Sequence, residues 1–485
     1  MSSLNHRTSG HHASSVASEV VAELISTEKM TKAEFRATLS LASIYGLRML
    51  GMFLILPIFA VYAASLPDKP SAFMVGLALG AYGLTQALLQ LPFGMASDKY
   101  GRKPMIYLGL GVFAVGSMVA ALAMNIEGII IGRAIQGAGA VSAVVTALVA
   151  DLTRDEHRTK AMATIGATIG LAFAFSLVAG PILNAWMGVP GIFFLTGILT
   201  LGAIAVVRFV VPDPVNSHYH SDTSAAPAKL KDVLKDGQLL RLNYGIFALH
   251  AAQMAMFVVV PFAINQSSEL SINQHWTIYL PVLLISFVLM VPAIIYAEKK
   301  AKIKQIFVSA IALMLLAQLL FAVSINAFWG IVFSLTVYFV AFNVLEASLP
   351  SIISKIAPAA AKGTAMGVYN TSQSVGIFVG GALGGYLSHA FGFASVFVFC
   401  GVMMFLWLLL AFSMRAPLVV RTKMYTMRKS ADHMSDKQAE ALKLKLQKLA
   451  GVVEAAVLPN ERTLILKIDK SHDWDDAQVY QLLRG

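Results

Sequence analysis

The chain has 485 residues, of which 57% are hydrophobic and only 13% are charged, and its mean hydropathy is +0.70. A soluble globular chain is about 25% charged, so one water-solvated core cannot bury this much apolar surface, and a lipid bilayer is the expected surrounding. The formal net charge is +11, but the basic residues are scattered through short polar segments, which argues against nucleic acid as a partner. The one cysteine, Cys400, excludes an intramolecular disulfide and a thiolate metal cluster.

The hydropathy pattern divides the chain into five parts. Residues 1–32 are polar and lack the basic and apolar regions of a signal peptide, so we predict a disordered cytoplasmic tail there. Twelve apolar runs follow, each supplying the roughly 20 residues that a helix needs to cross a bilayer. They predict an all-α membrane protein with six-helix bundles at 33–211 and 241–416, joined by a cytoplasmic linker at 212–240. The remainder, 417–485, predicts a small separate domain.

The positive charges lie in alternate loops between the apolar runs. One set of loops carries nearly all of the lysine and arginine residues that lie between the runs, for example Lys99, Lys300 and Lys355. The other set carries only Lys69. Because lysine and arginine accumulate in cytoplasmic loops, an even number of spans predicts that both termini lie in the cytoplasm.

The loop after the second run has the spacing G-x-x-x-D-x-x-G-R-K, from Gly94 to Lys103. A tight reversal between two helices favours Gly101, which adopts a positive φ at little cost. Asp98 at a helix C-terminus is unfavourable by itself and needs a positive partner, such as the N-terminus of another helix or an arginine. We interpret the segment as a conformational switch; the alternative is a solvated polar turn.

The fourth run contains Gly132-Arg133 and is followed by a charged cluster with Asp151 and Arg154. An arginine within a membrane helix is costly and normally faces a partner or water, which makes Arg133 a candidate for proton or substrate handling. We assign the cluster with Asp151 and Arg154 to the switch; the alternative is that Arg154 only sets the orientation of the chain in the membrane.

The fifth run contains Gly180-Pro181, a pair that permits close helix packing and a bend. We interpret it as a helix-packing element. It resembles the Gly-Pro motif of proton-driven antiporters, although the two glycines that follow in that motif are missing and Ile182-Leu183-Asn184 stands there; ordinary helix packing is the alternative.

Several polar residues interrupt the other runs. An ionisable group inside a membrane is a functional hypothesis by default, so we expect Glu346 to carry protons or to contact substrate. Arg48 attracts an anion or pairs with Glu346. Gln86 and Asn370 are further substrate candidates, and His250 is another unless it lies at the membrane interface.

No sequence pattern predicts an enzyme. We find no nucleophile motif and no metal-ligand cluster, and the phosphate-binding pattern G-x-x-x-x-G-K-[ST] is absent from the sequence. We therefore predict no cofactor, and the proton-motive force is the expected source of energy. The expected partners are the bilayer, protons and an unidentified small molecule.

The segment 417–485 predicts a ferredoxin-like domain with the order β-α-β-β-α. Ser435 to Gln438 form a capping box, and Gly451 ends the helix that follows. The segment has no cysteine, so copper binding is not expected. Regulation or self-association through this domain stays open.

From about residue 33 the chain resembles YajR-type transporters of the major facilitator superfamily. The motifs of the second loop, the fourth run and the fifth run carry this resemblance, together with the tail domain and the segments Gly46–Phe53 and Gly363–Tyr369. It implies a proton-coupled, efflux-type carrier of the bacterial inner membrane, similar to drug:H⁺ antiporters. It also implies that Arg102 lies between Asp98 and Asp151 with Arg154 nearby, and that Asp98 locks the outward-open state by pairing with the start of the eleventh helix.

Two alternatives to efflux remain at this point. A proton-coupled symporter would take up a metabolite through the same fold. A transporter-like sensor would bind a compound without moving it and would signal through the tail domain.

Overall fold

The computed structural model describes residues 30–213, 227–300, 302–358, 361–415, 420–427, 434–459, 463–469 and 474–479. Almost all of the predicted disordered tail, 1–32, lies outside these residues. The chain is mostly helical up to residue 412 and changes to a small antiparallel sheet after residue 420. The predicted fold, with two helical bundles and a small α+β domain, is confirmed.

The first bundle contains broken as well as continuous helices. The first run turns at Leu54–Ile58, next to Pro57, which cannot supply a helical N–H. The longest helix, α7, is divided at Gly188, whose φ of 66° and ψ of 174° lie in a region open to glycine. The helices are α1 (Lys32–Phe53), α2 (Phe59–Ala64), α3 (Ala72–Tyr100), α4 (Arg102–Leu122), α5 (Ile126–Ala138), α6 (Ser142–Asp151) and α7 (Asp155–Phe209).

The second bundle follows a short linker helix, α8. Its first spanning helix begins at Gly237, capped by the Asp236 side chain, which accepts hydrogen bonds from two backbone N–H groups. The helices are α8 (Pro227–Lys235), α9 (Gly237–Ser267), α10 (Trp276–Lys299), α11 (Ile303–Ser324), α12 (Phe328–Ile356), α13 (Lys362–Phe391) and α14 (Phe393–Phe412).

Ten helical stretches of the described chain are long and apolar enough to cross a membrane. One of them, Lys160–Phe209, contains the break at Gly188 and therefore forms two spans. Adding the broken first run, α1 with α2, gives the predicted twelve. Large apolar side chains remain exposed on the outer surfaces, including Leu171, Val288 and Trp329, as expected for contact with lipid.

The loops rich in lysine and arginine lie at one end of the bundles, which we call the basic face. It contains the end of α3, the start of α4, the end of α12 and the start of α13. The opposite face contains the start of α3 and the end of α13. These terms describe the molecule without assigning either face to a compartment.

The two bundles contact each other closely toward the opposite face. A Cβ added at Gly80 of α3 would lie 2.9 Å from the carbonyl oxygen of Phe378 in α13, and one at Gly83 would lie 2.6 Å from that of Ser374. Glycine is required here because the two helix backbones touch. A second contact joins α7 to the turn before α10. In this conformation the bundles are therefore closed at the opposite face.

The tail domain contains a three-stranded antiparallel sheet in the order β1-β3-β2. The predicted capping box at Ser435 and the helix end at Gly451, with a φ of 85°, are confirmed. Its order agrees with the ferredoxin-like prediction as far as the described residues reach; the last predicted helix, Trp474 to Leu483, is described only to Val479. The elements are β1 (Val420–Thr426), α15 (Asp436–Gln447), β2 (Val452–Leu458) and β3 (Thr463–Asp469).

Candidate functional site

Arg102 connects the two acids of the switch segment. Its guanidinium forms an ion pair with Asp98 near the end of α3, and its Nε lies 3.0 Å from Oδ2 of Asp151 at the end of α6. The Arg102 side chain is 2% exposed and that of Asp151 is fully buried, so this pair lies out of water. Gly101 adopts a φ of 93°, as the tight reversal requires. The structure thus places Arg102 between Asp98 and Asp151.

Lys103 connects the start of α4 to the end of α7. Its ammonium donates to the carbonyl oxygen of Val211 at 2.6 Å and lies 2.8 Å from Asp213. The ammonium of Lys103 holds the pKa of the exposed Asp213 carboxyl below its ordinary value. Lys103 therefore joins two ends of the first bundle at the basic face.

Arg154 forms a bidentate pair with Glu34, a residue that the sequence interpretation missed. Its Nε and Nη2 donate to the two oxygens of Glu34 at 2.9 and 3.1 Å. Burial raises the pKa of Glu34, but the hydrogen bonds from Arg154 and Thr31 outweigh it and lower the pKa to about 2. The sequence pattern that could have drawn attention to Glu34 is its capping-box spacing from Thr31. That spacing predicts where the helix starts, but it does not predict that Glu34 pairs with Arg154.

A small cavity lies between the bundles toward the basic face. Gly94 and Asp98 of α3 line it on one side, and Gly363 and Asn370 of α13 line it on the other. Gln90 lines the same cavity one helical turn deeper. The bundles are therefore separated here, whereas α3 and α13 touch directly toward the opposite face. Asp98 and the start of α13 face one shared space.

The first bundle contains a buried polar group around Arg48. The guanidinium of Arg48 donates to Oγ of Ser142 at 2.6 Å and to Oε1 of Gln86 at 2.9 Å. The amide of Gln86 lies 3.4 Å from Oε1 of Gln90, which reaches the cavity. The alternative that Arg48 pairs with Glu346 is wrong for this conformation, since the two groups form no ion pair within the described chain.

Arg133 lies deeper in the same bundle and is fully buried. It donates to Oε1 of Gln136 at 3.0 Å, and its guanidinium lies 4.9 Å from the centre of the Tyr82 ring. The guanidinium of Arg48 lies 5.6 Å from the same ring. Tyr82, which the sequence interpretation missed, thus contacts both arginines through cation–π interactions.

The second bundle brings Glu346 and His250 together. Oε2 of Glu346 is buried without a hydrogen-bond partner, 3.8 Å from Nε2 of His250, while 34% of the Glu346 side chain stays accessible. The same histidine nitrogen lies 2.7 Å from the amide of Gln373. The interfacial alternative for His250 is wrong, because the residue lies about 20 Å along α9 from its start at Gly237.

Aromatic side chains join the bundles beside this acid. The ring of Phe173 in α7 lies 5.7 Å from that of Phe342 in α12, and Phe342 lies 6.1 Å from the ring of His250. The hydroxyls of Tyr338 and Tyr369 are buried without partners in the described structure. No sequence pattern indicates these contacts, because each aromatic residue stands in an apolar run.

Gly180 lies against the turn that breaks the first run. A Cβ at this position would collide with the carbonyl oxygen of Leu54, so glycine permits the close packing. Pro181 continues α7 without a break, whereas the backbone leaves helical geometry at Gly188. The break at Gly188 is the reversal between the fifth and sixth spans, and the backbone angles at Gly180 and Pro181 stay helical.

The tail domain contacts the end of α12 through Lys467 of β3. The ammonium of Lys467 donates to the carbonyl oxygens of Ala357 and Lys355 at 2.6 and 3.2 Å, and it lies 2.8 Å from Glu454 of β2. Lys467 is only 5% exposed. Strand β1 also contacts α7. The tail domain therefore touches both bundles, which sequence patterns within the tail could not reveal.

Within the described residues, no group of histidine, cysteine, aspartate or glutamate side chains is placed to hold a metal ion.

The model of the Major Facilitator Superfamily matches residues 41–381, with a second match at 304–443. The chain is 42% identical over 441 residues to the inner membrane transport protein YajR of Escherichia coli K12, covering 91% of this chain and 96% of that protein. It is 36% identical over 350 residues to an uncharacterized transporter of Buchnera aphidicola from Acyrthosiphon pisum, covering 72% and 89% of the two chains.

Solved structures show the same fold at low sequence identity. A bacterial homolog of the human lysosomal transporter Spinster, inward-facing and occupied, has a TM-score of 0.62 at 13% identity and covers 79% of this chain and 97% of its own. The nucleoside transporter NupG has a TM-score of 0.61 at 14% identity, covering 78% and 99%. Identities this low support the fold alone.

Proposed function

Because the chain belongs to the Major Facilitator Superfamily, a family of membrane transporters, we propose that it moves a small molecule across the bacterial inner membrane by alternating access. The observation that carries this proposal is the asymmetry between the bundles. They touch through Gly80 and Gly83 at the opposite face, whereas a cavity lined by Asp98 and Gly363 separates them at the basic face. Rocking the bundles would exchange the closed end for the open one.

The basic face is cytoplasmic in this proposal, with both termini on that side. Lysine and arginine accumulate in cytoplasmic loops, and nearly all of those in the loops between the spans lie at this end. The described conformation would then be closed toward the periplasm.

Asp98 is the proposed switch. It lies across the cavity from the start of α13, and the partial positive charge of a helix N-terminus favours a carboxylate. Closing the cavity would bring Asp98 against that helix end, while Arg102 keeps it oriented from behind. This contact would lock the outward-open state.

Glu346 is the proposed proton carrier, and the coupled process is efflux. It is an acidic side chain in the middle of a described span, it is partly accessible, and His250 lies beside it. Protonation of Glu346 removes its charge and changes which conformation is favoured, as proton coupling requires.

A flux experiment tests this assignment. Compounds that raise the melting temperature of the purified full-length protein would be loaded into proteoliposomes, and their movement measured under an imposed pH gradient. Glu346→Gln should abolish gradient-driven flux while binding persists. Glu269→Gln, an exposed acid in a loop of the same bundle, is the matched control.

Each outcome has a definite meaning. Full gradient-driven flux by Glu346→Gln would remove this residue from proton coupling. Uptake together with protons would replace efflux by metabolite symport. Binding without flux in any direction would favour the sensor alternative.

The tail domain is proposed to regulate the bundles. It contacts α12 of the second bundle through Lys467 and α7 of the first bundle through β1, at the face where the bundles are apart. A domain that contacts both bundles can favour one separation between them over another.

A further inference from the structure

The interior of the first bundle carries two positive charges that have no acidic partner in the described structure. The Arg48 residue is 2% exposed and Arg133 is fully buried. A guanidinium stays charged at neutral pH. The hydrogen bonds of both side chains go to neutral groups, among them Ser142, Gln86 and Gln136.

Unbalanced charge in this position is costly, and membrane proteins keep it where it has a use. The Tyr82 ring and the glutamine amides offset part of the cost, but they bring no negative charge. Glu346 is the acid in the middle of the described spans, and it lies in the other bundle beside His250. With Glu346 ionised, these three groups still leave one positive charge in excess.

The unpaired polar atoms of this region can all donate hydrogen bonds, and one of them, the hydroxyl of Tyr82, can also accept. Nε of Arg48, Nε of Arg133 and Nε2 of Gln90 are each buried and have no hydrogen-bond partner in the described chain. Each carries an N–H group. A ligand that completes this group must therefore supply acceptors, and its charge must be negative to balance the arginines.

A chain of side-chain hydrogen bonds connects the lining of the cavity to these donors. Gln90 lines the cavity opposite Asn370, and its side chain contacts Gln86, which accepts from Arg48. A small molecule in the cavity would meet Gln90 first, and the Gln90 and Gln86 side chains would have to move aside for it to reach the guanidinium of Arg48. Arg133 lies behind Tyr82 and would act through its charge.

We propose that the cargo is a small organic anion whose acidic group binds in the first bundle to Arg48 and Gln90, with Arg133 supplying a second positive charge. This inference rests on the proposed transport function and deepens it, since it names the chemical class of the cargo. Hydrophobic cations, a common cargo of efflux pumps, would instead be repelled from this group.

Matched probes test the proposal on the full-length protein in detergent. Thermal-shift titrations would compare benzoate, benzamide and benzylamine, and likewise succinate, succinamide and 1,4-diaminobutane. At least one carboxylate should raise the melting temperature while its amide and amine analogues do not. Stabilisation by amines or amides only, or by none of the six compounds, would overturn the proposal.

Variants then locate the binding group. Arg48→Gln should lower the affinity for the stabilising carboxylate by about 30-fold or more, because the buried charge of the carboxylate loses the guanidinium as its partner. Arg48→Lys should retain part of the affinity, and Gln90→Leu should lower the affinity by roughly 10-fold. These two variants test the site even if Arg48→Gln does not fold. Arg36→Gln removes one exposed arginine from the same helix and should change nothing. Equal weakening by Arg36→Gln would contradict a local site.

The transport function is tested separately by measuring flux of the bound compound. A carboxylate that binds through Arg48 and does not move would uphold the anion site and contradict transport. Flux of an amine instead of a carboxylate would uphold transport and contradict the anion site.

Discussion

Replacing Lys467 by methionine should release the tail domain from the bundles. Methionine keeps most of the length of lysine and removes its charge, so packing changes little. The ammonium of Lys467 now donates to the carbonyl oxygens of Ala357 and Lys355, which end α12. A hydrogen bond to a charged group contributes about 1.5–3 kcal/mol, and a cation at a helix C-terminus adds about 0.3–1 kcal/mol.

The total expected loss is about 2–4 kcal/mol, since the partner Glu454 is 33% exposed and water can solvate it once Lys467 is gone. Each 1.4 kcal/mol changes an equilibrium tenfold, so the undocked fraction should rise by about 30-fold to several hundred-fold. A domain that is almost always docked would then be detached for a measurable part of the time.

Distances between spin labels would measure this change. One label would be attached at Lys437 in the tail and one at Lys235 at the end of α8, both exposed, after replacement of the buried Cys400 by alanine. The unsubstituted protein should give a narrow distance distribution, and Lys467→Met a broad one.

The control is Lys443→Met, which removes a lysine of α15 that pairs with Glu440 on the tail surface. An unchanged distribution in Lys467→Met would refute the docking role of this lysine. Equal broadening in both variants would show that any loss of charge in the tail has the same effect.

Three further predictions concern the bundles. Arg102→Met should destabilise the protein by about 3–5 kcal/mol, measured by thermal or denaturant unfolding, because the fully buried carboxylate of Asp151 loses its charged partner. Gly80→Val should force α3 and α13 apart and lower the fraction closed at the opposite face, measured by cross-linking across that seam. Glu34 should stabilise the protein by on the order of 1 kcal/mol. Because its pKa falls from 4.5 to about 2 on folding, this contribution is present above pH 4.5 and is lost as pH falls toward 2; melting curves of Glu34→Gln should therefore converge with those of the parent in acid.

Matched changes control for these effects. Lys99→Met alters an exposed lysine of the same segment and should cost little. Gly111→Ala adds a methyl group where nothing lies within 4 Å and should leave the conformation unchanged. Full stability of Arg102→Met, unaltered cross-linking of Gly80→Val, or a Glu34→Gln difference that widens in acid would each contradict the corresponding reasoning.

The features that the sequence predicted well are local ones. Span number follows from the length of apolar runs, and the capping box at Ser435 and the reversal at Gly101 follow from residue type within a few positions. The contact of Arg102 with Asp98 also joins residues only four positions apart, on the two sides of the reversal at Gly101. Its contact with Asp151 was predicted only through a family resemblance, because 49 residues separate the two.

The contacts that decide how the protein works are long-range, and only the tertiary structure supplies them. Nothing near Glu34 in the sequence indicates Arg154, which lies 120 residues away. Likewise, nothing within the tail indicates that Lys467 donates hydrogen bonds to the C-terminal end of a helix in the second bundle. His250 looked interfacial until the start of α9 placed it deep in the bundle beside Glu346. Hydropathy reports how each residue is solvated. Which buried groups meet depends on how the twelve spans pack, and that is settled by contacts between helices far apart in the chain.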